Sequence, residues 1–327
     1  MPDDPYRATF DCRVVGMKFS PISLDLIVLL EDARLVVLGD DGQRKVFLPE
    51  RVGGRAYSLA VSPTEDASRE FPQFVVACDK PFEHSDDTHF LQFRGLRSSS
   101  HHLMTIATDH PIGVMSYFKR DGNLNLLYGD TDGKLACFDM QRGGSNWHEP
   151  IWQNRVASGP ILSLAVSPDG TWAVAGSERP SFVTFDPTSG SEINRRQLSL
   201  YGDPIGPVTS LAIGKDTSDY FVYTTSNGAI CAHHYASSAY AWFISDSQFD
   251  YRTVVAHKNS RTMIAGSNFN TLRIFDEIRG ETPARHIATE PSVYFLDVHP
   301  FRGWLAICSI IGVHGGVKSK VRVCTTP

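Results

Sequence analysis

At 327 residues the chain is long enough for one large β-architecture or two ordinary domains, and 42% hydrophobic with 20% charged residues is typical of a globular protein. The formal net charge of −5 argues against attraction of the whole surface to nucleic acid or to anionic membrane. Membrane binding is therefore not expected, and nucleic-acid contact is expected at most indirectly.

The N-terminus reads "MPDDPYRATF" and lacks the basic start and apolar stretch of a secretory signal. The apolar run at residues 24–30 contains Asp25 and is far shorter than the roughly 20 residues of a membrane helix. The six cysteines form no C-x-x-C pair, and most lie inside apolar runs, as small buried hydrophobes do. These features predict an intracellular protein, cytoplasmic or nuclear.

An alternating apolar run closed by a turn recurs seven times along the chain. In chain order the runs are GMKFSP at 16–21, SLAVSP at 58–63, VMSYFK at 114–119, SLAVSP at 163–168, SLAIGK at 210–215, TVVAHK at 253–258 and FLDVHP at 295–300. Their ends are 42, 56, 49, 47, 43 and 42 residues apart. A period of this length is typical of one β-propeller blade.

Further strands follow each run. The pattern predicts second strands at 171–177, 220–226 and 262–267, and third strands at 134–139, 181–186 and 271–276. A less regular fourth strand and a polar linker complete each repeat. With 26 glycines and 19 prolines interrupting the chain, an all-β fold is expected.

Three predicted third strands end in a Phe-Asp dipeptide, at 138–139, 185–186 and 275–276, and SPDG at 167–170 and TDG at 131–133 supply turns. These motifs resemble those of the WD-repeat proteins, with Phe in place of the family's Trp. The resemblance implies one domain over residues 1–327, a seven-bladed β-propeller of four-stranded antiparallel blades.

The last repeat supplies only three strands. The strand-like segment at residues 6–12 precedes the first run, so we expect it to pair as the outer strand of the final blade and to close the ring.

Local motifs for chemistry are incomplete. GVHGGVKSK at 312–320 differs from a phosphate-binding loop because Val317 separates Gly316 from Lys318, and it favours a hairpin. The histidines at 84, 89, 101, 102, 233 and 234, with Cys231, offer two local ligands at most, whereas zinc usually takes four. We therefore expect no cofactor, no metal and no catalytic residues.

Lys318, Lys320 and Arg322 alternate along one predicted strand, which favours a solvated outer face and leaves a phosphate-bearing partner open. The second repeat carries polar insertions at 64–73 and 80–90, which are either partner-binding loops or tolerated surface variation.

Partner-binding positions are expected where the connections between repeats, and between second and third strands, converge on one ring face. The candidates are Arg55, Tyr57, His110, Asp130, Glu178, Arg179, Tyr201, Asn227, Asn268 and Phe269, with Phe82, Glu83, Asp86 and Asp87 in the second insertion.

The resemblance and the incomplete motifs favour a non-enzymatic scaffold that holds other protein subunits in a larger intracellular complex, without requiring its own homo-oligomerisation. Two alternatives remain open. One is a propeller enzyme, such as a lactonase-like hydrolase with a metal in the central channel, and the other is a reader of a modified peptide or phosphate group.

Overall fold

Thirty β-strands and no helix are formed by the residues that the computed structural model describes. The described residues are 6–21, 23–40, 44–47, 54–63, 74–79, 89–94, 102–141, 149–200, 203–204, 206–214, 219–237, 240–245, 250–257, 262–269, 271–276, 286–289, 292–299, 302–313 and 316–325.

The first half of the chain supplies one short N-terminal strand and three sets of four. The strands are β1 Ala8–Phe10; β2 Val14–Phe19, β3 Leu26–Leu30, β4 Leu35–Leu38, β5 Arg44–Phe47; β6 Ala56–Val61, β7 Phe74–Asp79, β8 His89–Arg94, β9 His102–Thr108; β10 Ile112–Arg120, β11 Asn123–Asp130, β12 Lys134–Asp139, β13 Trp152–Arg155.

The second half continues in the same way, with a small two-stranded sheet, β18 with β19, between two sets. The strands are β14 Ile161–Val166, β15 Ala173–Ser177, β16 Ser181–Phe185, β17 Glu192–Gln197; β18 Ser199–Leu200, β19 Asp203–Pro204; β20 Val208–Ile213, β21 Tyr220–Thr225, β22 Ala229–His234, β23 Tyr240–Ser245; β24 Tyr251–Ala256, β25 Thr262–Ser267, β26 Thr271–Asp276, β27 His286–Ala288; β28 Val293–Val298, β29 Trp304–Val313, β30 Gly316–Thr325.

Six four-stranded antiparallel sheets are each built from four consecutive strands, and the seventh has the order β1-β30-β29-β28. Each of the seven recurring runs lies on the first strand of its sheet. The chain is therefore an all-β, seven-bladed β-propeller, as the sequence predicts. The N-terminal strand pairs with β30 in the register Ala8 to Val321, Thr9 to Lys320 and Phe10 to Ser319, which confirms the predicted outer strand of the last blade.

The chain divides into two compact units. Unit 1 covers residues 1–117 and 297–327 and includes the sheets β2–β5 and β6–β9 with β1, β29 and β30. Unit 2 covers residues 118–296 and includes the sheets β14–β17, β20–β23 and β24–β27 with β11, β12 and β13. The single domain over 1–327 stays a prediction.

Burial follows the position of a strand in its sheet. The second strands β3, LIVLL, and β15, AVAGS, are buried at every residue, because apolar side chains pack on both of their faces. The fourth strands β13, WQNR, and β17, EINRRQ, are mostly exposed. Leu29, Leu59 and Val76 belong to the apolar core of unit 1, whereas Phe182, Phe221 and Tyr223 belong to that of unit 2.

The repeated SLAVSP phrase has the same structural role in both copies. The Ser58 hydroxyl donates to the Ile112 carbonyl at 3.0 Å, and the Ser163 hydroxyl donates to the Val208 carbonyl at 3.0 Å. Each acceptor is the first residue of the next sheet's first strand, so the serine ties adjacent sheets together within its unit. At the equivalent position Gly16 has no room for a side chain, since a Cβ there would lie 2.7 Å from Leu59 Cβ.

Candidate functional site

The first strands of five sheets share a β-bulge at their second residue. The register skips one residue between Val14 and Gly16, Ala56 and Ser58, Ile161 and Ser163, Val208 and Ser210, and Tyr251 and Thr253. The skipped residues are Val15, Tyr57, Leu162, Thr209 and Arg252. Because a bulge leaves one residue out of the ladder and redirects its side chain, this repeated position is suited to binding.

In unit 1 the predicted residues Arg55 and Tyr57 lie in a network of ion pairs and hydrogen bonds. Arg55 pairs with Glu31 at 2.7 Å, and the Tyr57 hydroxyl donates to Asp79 Oδ2 at 2.6 Å. His89 Nδ1 lies 2.8 Å from the other Asp79 oxygen. Burial, with the hydrogen bond to Asp79, raises the pKa of Tyr57 to about 12. The Tyr57 hydroxyl therefore stays protonated and fixed, which leaves the exposed Arg55 as the more accessible side chain.

The carboxylate of Asp130, a predicted partner-binding residue, is used inside the protein. Asp130 is 4% exposed, and its carboxylate accepts hydrogen bonds from the amides of Asp132 at 2.9 Å and Lys134 at 2.8 Å. These bonds shape the turn between β11 and β12, so the side chain offers little surface to a partner. Arg155 pairs with Asp132 on the same turn.

Glu178 and Arg179 follow β15 on a loop whose backbone is held in place. The Ser177 hydroxyl donates to the Arg179 carbonyl at 2.7 Å, and the Glu178 amide donates to the Pro160 carbonyl at 2.9 Å. Both side chains are exposed to solvent. The loop therefore presents one acidic and one basic group on a fixed backbone. Asn227, after β21, is exposed in the equivalent turn.

The most complete arrangement surrounds Asn268 and Phe269 in unit 2. Asn268 and Asp250 are joined by two hydrogen bonds: the Asn268 amide donates to the Asp250 carbonyl at 3.1 Å, and the Asp250 amide donates to Asn268 Oδ1 at 3.1 Å. The Ser292 amide donates to the Asn268 carbonyl at 3.1 Å. Asn268 therefore holds together the segments that precede β24 and β28.

An arginine and two aromatic rings lie on these joined segments. Arg252 donates two hydrogen bonds to Asp250 Oδ2, at 2.9 and 2.8 Å, and its guanidinium lies 4.3 Å from the centre of the Tyr294 ring. Phe269 is 43% exposed, and its amide donates to the Ser267 hydroxyl at 3.2 Å. We call Asp250, Arg252, Asn268, Phe269 and Tyr294 the Phe269 surface.

Asp250, Arg252 and Tyr294 lie outside the predicted set. Arg252 and Tyr294 are the second residues of β24 and β28, the position that Tyr57 occupies in β6. Aligning the seven recurring runs and comparing the residues just before them would have pointed to all three. The bulge itself is a property of the hydrogen-bond ladder, and no letter pattern marks it.

Of the remaining predicted positions, one lies in the described structure and the others lie outside the described residues. His110 is half-buried just before β10, and its carbonyl accepts a hydrogen bond from the Thr108 hydroxyl at 3.1 Å. Tyr201, Phe82, Glu83, Asp86 and Asp87 lie outside the described residues, as do the insertion at 64–73 and most of that at 80–90.

The GVHGGVKSK segment forms the predicted hairpin, with Ile311 opposite Lys318 and Val313 opposite Gly316. Lys318 is exposed, whereas Lys320 and Arg322 are half-buried on β30. Of the three cations expected on a solvated face, only Lys318 is therefore exposed.

Among the described residues, no cluster of three His, Cys, Asp or Glu side chains is arranged to hold a metal ion. His233 and Cys231 are both buried; burial lowers the pKa of His233 to about 4 and raises that of Cys231 to about 12. In the described part of the chain, no helix has the length and apolar character needed to cross a membrane.

Comparison with family models finds no match, and comparison with curated proteins finds no related sequence. A chain of the solved structure titled "Crystal Structure of Mitotic Checkpoint Complex" is similar, with a TM-score of 0.76 and 16% identity, over 97% of this chain and 94% of that chain. At this identity the likeness concerns fold alone. The β-propeller fold is thus shared, over nearly its whole length, with a component of a solved multi-protein complex.

Proposed function

We propose that the protein is a non-enzymatic subunit of a multi-protein assembly inside the cell, in the cytoplasm or nucleus, and that it is a degenerate relative of the WD-repeat proteins. The WD-repeat assignment is supported by the Phe-Asp dipeptides, since Phe138-Asp139 and Phe275-Asp276 end β12 and β26 and Phe185 ends β16. The shared fold with a chain of the checkpoint complex structure supports a role in protein assembly.

One observation carries the proposal: an exposed Phe269 lies on a loop that two hydrogen bonds of Asn268 join to the segment bearing Asp250 and Arg252. Aromatic and arginine side chains supply most of the binding energy at protein interfaces. Since hydrogen bonds already fix this loop, a partner would not have to order it, and less conformational entropy is lost on binding. The Phe269 surface is therefore the proposed centre of partner binding.

The other exposed candidates extend this proposal. Glu178, Arg179 and Asn227 occupy equivalent loops of unit 2, and Arg55 lies at the start of β6 in unit 1. The acidic second insertion, with Phe82, Glu83, Asp86 and Asp87, remains a candidate loop for a basic partner. The protein needs no second copy of itself in this role.

The test is affinity capture of the tagged protein from its native source, with partners identified by mass spectrometry. We expect Phe269→Ala and Arg252→Ala each to weaken capture of one partner by roughly 30-fold, equivalent to about 2 kcal/mol. Ile193→Ala is the matched control, because Ile193 is also 43% exposed but lies on the outer strand β17. Circular dichroism verifies that all three variants fold.

Capture of every partner by Phe269→Ala at the level of the control would contradict this location. A protein that purifies alone with a tightly bound metal and hydrolyses lactones would instead support the lactonase-like alternative. Selective retention of phosphopeptides, lost in Lys318→Ala, would support the phosphate reader.

A further inference from the structure

Four polar side chains lie in the apolar interface between the β14–β17 sheet and the β20–β23 sheet of unit 2. Trp172, Phe182 and Phe221 form part of this apolar cluster, together with Tyr223. The polar members are Arg196 on β17, Tyr223 on β21, His233 on β22 and Tyr240 on β23.

His233 supplies the hydrogen-bond acceptor of the group. Its side chain is 0% exposed, and its Nδ1 lies 3.2 Å from the His234 carbonyl oxygen. Because a carbonyl can only accept, Nδ1 carries the proton in the neutral ring, and Nε2 holds a lone pair. Among the described residues, this buried Nε2 has no hydrogen-bond partner.

The other three groups supply donors. The hydroxyls of Tyr223 and Tyr240 and the Nη1 of Arg196 are buried, and none of them makes a hydrogen bond of ordinary length and angle in the described part of the chain. The Tyr223 hydroxyl lies close to the Cys231 thiol and the Tyr240 hydroxyl. Tyr223 is 0% exposed. Two of the other groups lie at the Tyr240 ring: the His233 ring centre is 5.0 Å from the centre of the Tyr240 ring, and the Arg196 guanidinium is 4.7 Å from it. Burial, with the neighbouring Cys231 and Tyr240, raises the pKa of Tyr223.

Folded proteins satisfy nearly all buried polar atoms, either with protein groups or with ordered water. This cluster offers an acceptor nitrogen, a charged donor and two hydroxyls that can do either. An anion would meet the lone pair of Nε2, and a metal cation would meet the positive charge of Arg196. Water can donate to Nε2 and accept from the guanidinium or a hydroxyl at the same time.

We propose that the interface between these two sheets is a binding site for buried water, in which at least one molecule donates to His233 Nε2 and accepts from the Tyr240 hydroxyl. The water supplies hydrogen-bond partners to His233 Nε2 and the Tyr240 hydroxyl, and it fixes the Nδ1-protonated form of His233.

The proposal is tested by whether deleting a tyrosine hydroxyl lowers or raises the midpoint of thermal unfolding. Tyr240→Phe removes a ligand of the water, so the midpoint of thermal unfolding should fall by about 2 °C or more. In a dry cluster the same change removes an unsatisfied hydroxyl, and the midpoint should rise or stay unchanged, which would overturn the proposal. Tyr235→Phe is the control, since Tyr235 lies in the same unit and stacks on Trp172 at 4.8 Å.

A crystal structure of the full chain provides the direct measurement. We expect a water peak about 2.7–3.2 Å from His233 Nε2. A direct hydrogen bond from Tyr240 to Nε2 would overturn the proposal, as would an anomalous bromide peak at this place in crystals grown with bromide. Nitrogen-15 spectra of the His233 ring should show the proton on Nδ1, and a proton on Nε2 would contradict the assigned donor.

Discussion

At the scale of single residues, small hydroxyl side chains form specific hydrogen bonds between neighbouring sheets. Ser58 and Ser163 are each 5% exposed and bond to a carbonyl at the start of the next sheet. In the same position Ser210 accepts from the Val254 amide at 3.0 Å. The serine therefore recurs at a position where its hydroxyl can hydrogen-bond to a backbone carbonyl or amide of the adjacent sheet.

Ser163→Ala should lower the free energy of unfolding by about 1 kcal/mol, because the buried Val208 carbonyl loses its hydroxyl donor. Urea denaturation followed by circular dichroism measures the change. The exposed Ser158→Ala serves as control. Equal unfolding free energies for the two variants would show that the bond between the sheets adds nothing to stability.

His233 makes stability depend on pH. Burial lowers its pKa to about 4, whereas an unfolded histidine titrates near 6.5. Below about pH 6.5 His233 binds a proton in the unfolded chain but not in the folded chain. Its contribution to the free energy of unfolding is therefore complete above this pH and is lost as the pH falls towards 4. The loss from this residue should reach on the order of 3 kcal/mol.

Urea denaturation at several pH values between 7 and 4 measures this dependence. Other titrating groups contribute equally to wild type and to His233→Phe, so the difference between the two proteins isolates His233. Its free energy should change by about 1.4 kcal/mol per pH unit between the two pKa values. Parallel curves for the two proteins would show that His233 has the same pKa in the folded and the unfolded chain, which would contradict this prediction.

At the scale of the element, the N-terminal strand is held by more than its three ladder pairs. The Tyr6 hydroxyl donates to the Leu24 carbonyl at 2.8 Å, and its ring packs 5.5 Å from that of Trp304. The Ser319 hydroxyl on β30 accepts from the Val14 amide at 3.0 Å. These contacts join β1 and β30 to the first strands of unit 1.

Deleting residues 1–10 should therefore lower the thermal midpoint strongly and promote aggregation, because the edge of β30 and the Tyr6 site become exposed. Deleting residues 1–5 is the matched control, since it leaves Tyr6 and β1 in place. Both effects are read by differential scanning calorimetry and light scattering. If the two truncated proteins melt together, β1 is dispensable.

The β-bulges at the second residue of five first strands also have an effect on the element that contains them. A bulge in each of five first strands releases one residue from the ladder, and in β6, β14 and β20 the serine that follows it bonds to the next blade. In β24 the released residue is Arg252, and Thr253 follows it. In β24 the bulge thus separates Arg252, which belongs to the proposed Phe269 surface, from the adjacent ladder residue Thr253.

At the scale of the whole molecule, the fold could be predicted because each first strand combines alternating apolar residues with a turn at a repeating distance. Counting three strands in the last repeat located the fourth at the N-terminus. The site was less accessible to such reasoning. Asp130 lies in a predicted loop, yet the turn uses its carboxylate internally, and Arg252 acquires its place through a bulge and a contact with Tyr294.

The pairing of β1 with β30 also sets an order of events during synthesis. Val14 and Ser319, which are bonded in the finished fold, are 305 residues apart in the chain. At about 5–20 residues per second, a ribosome needs on the order of tens of seconds to supply the second partner after the first. Throughout that interval Tyr6, Ala8 and Phe10, all buried in the folded protein, have no strand to cover them. The last sheet can therefore be completed only after β30 has left the ribosome, and until then these side chains remain exposed to solvent.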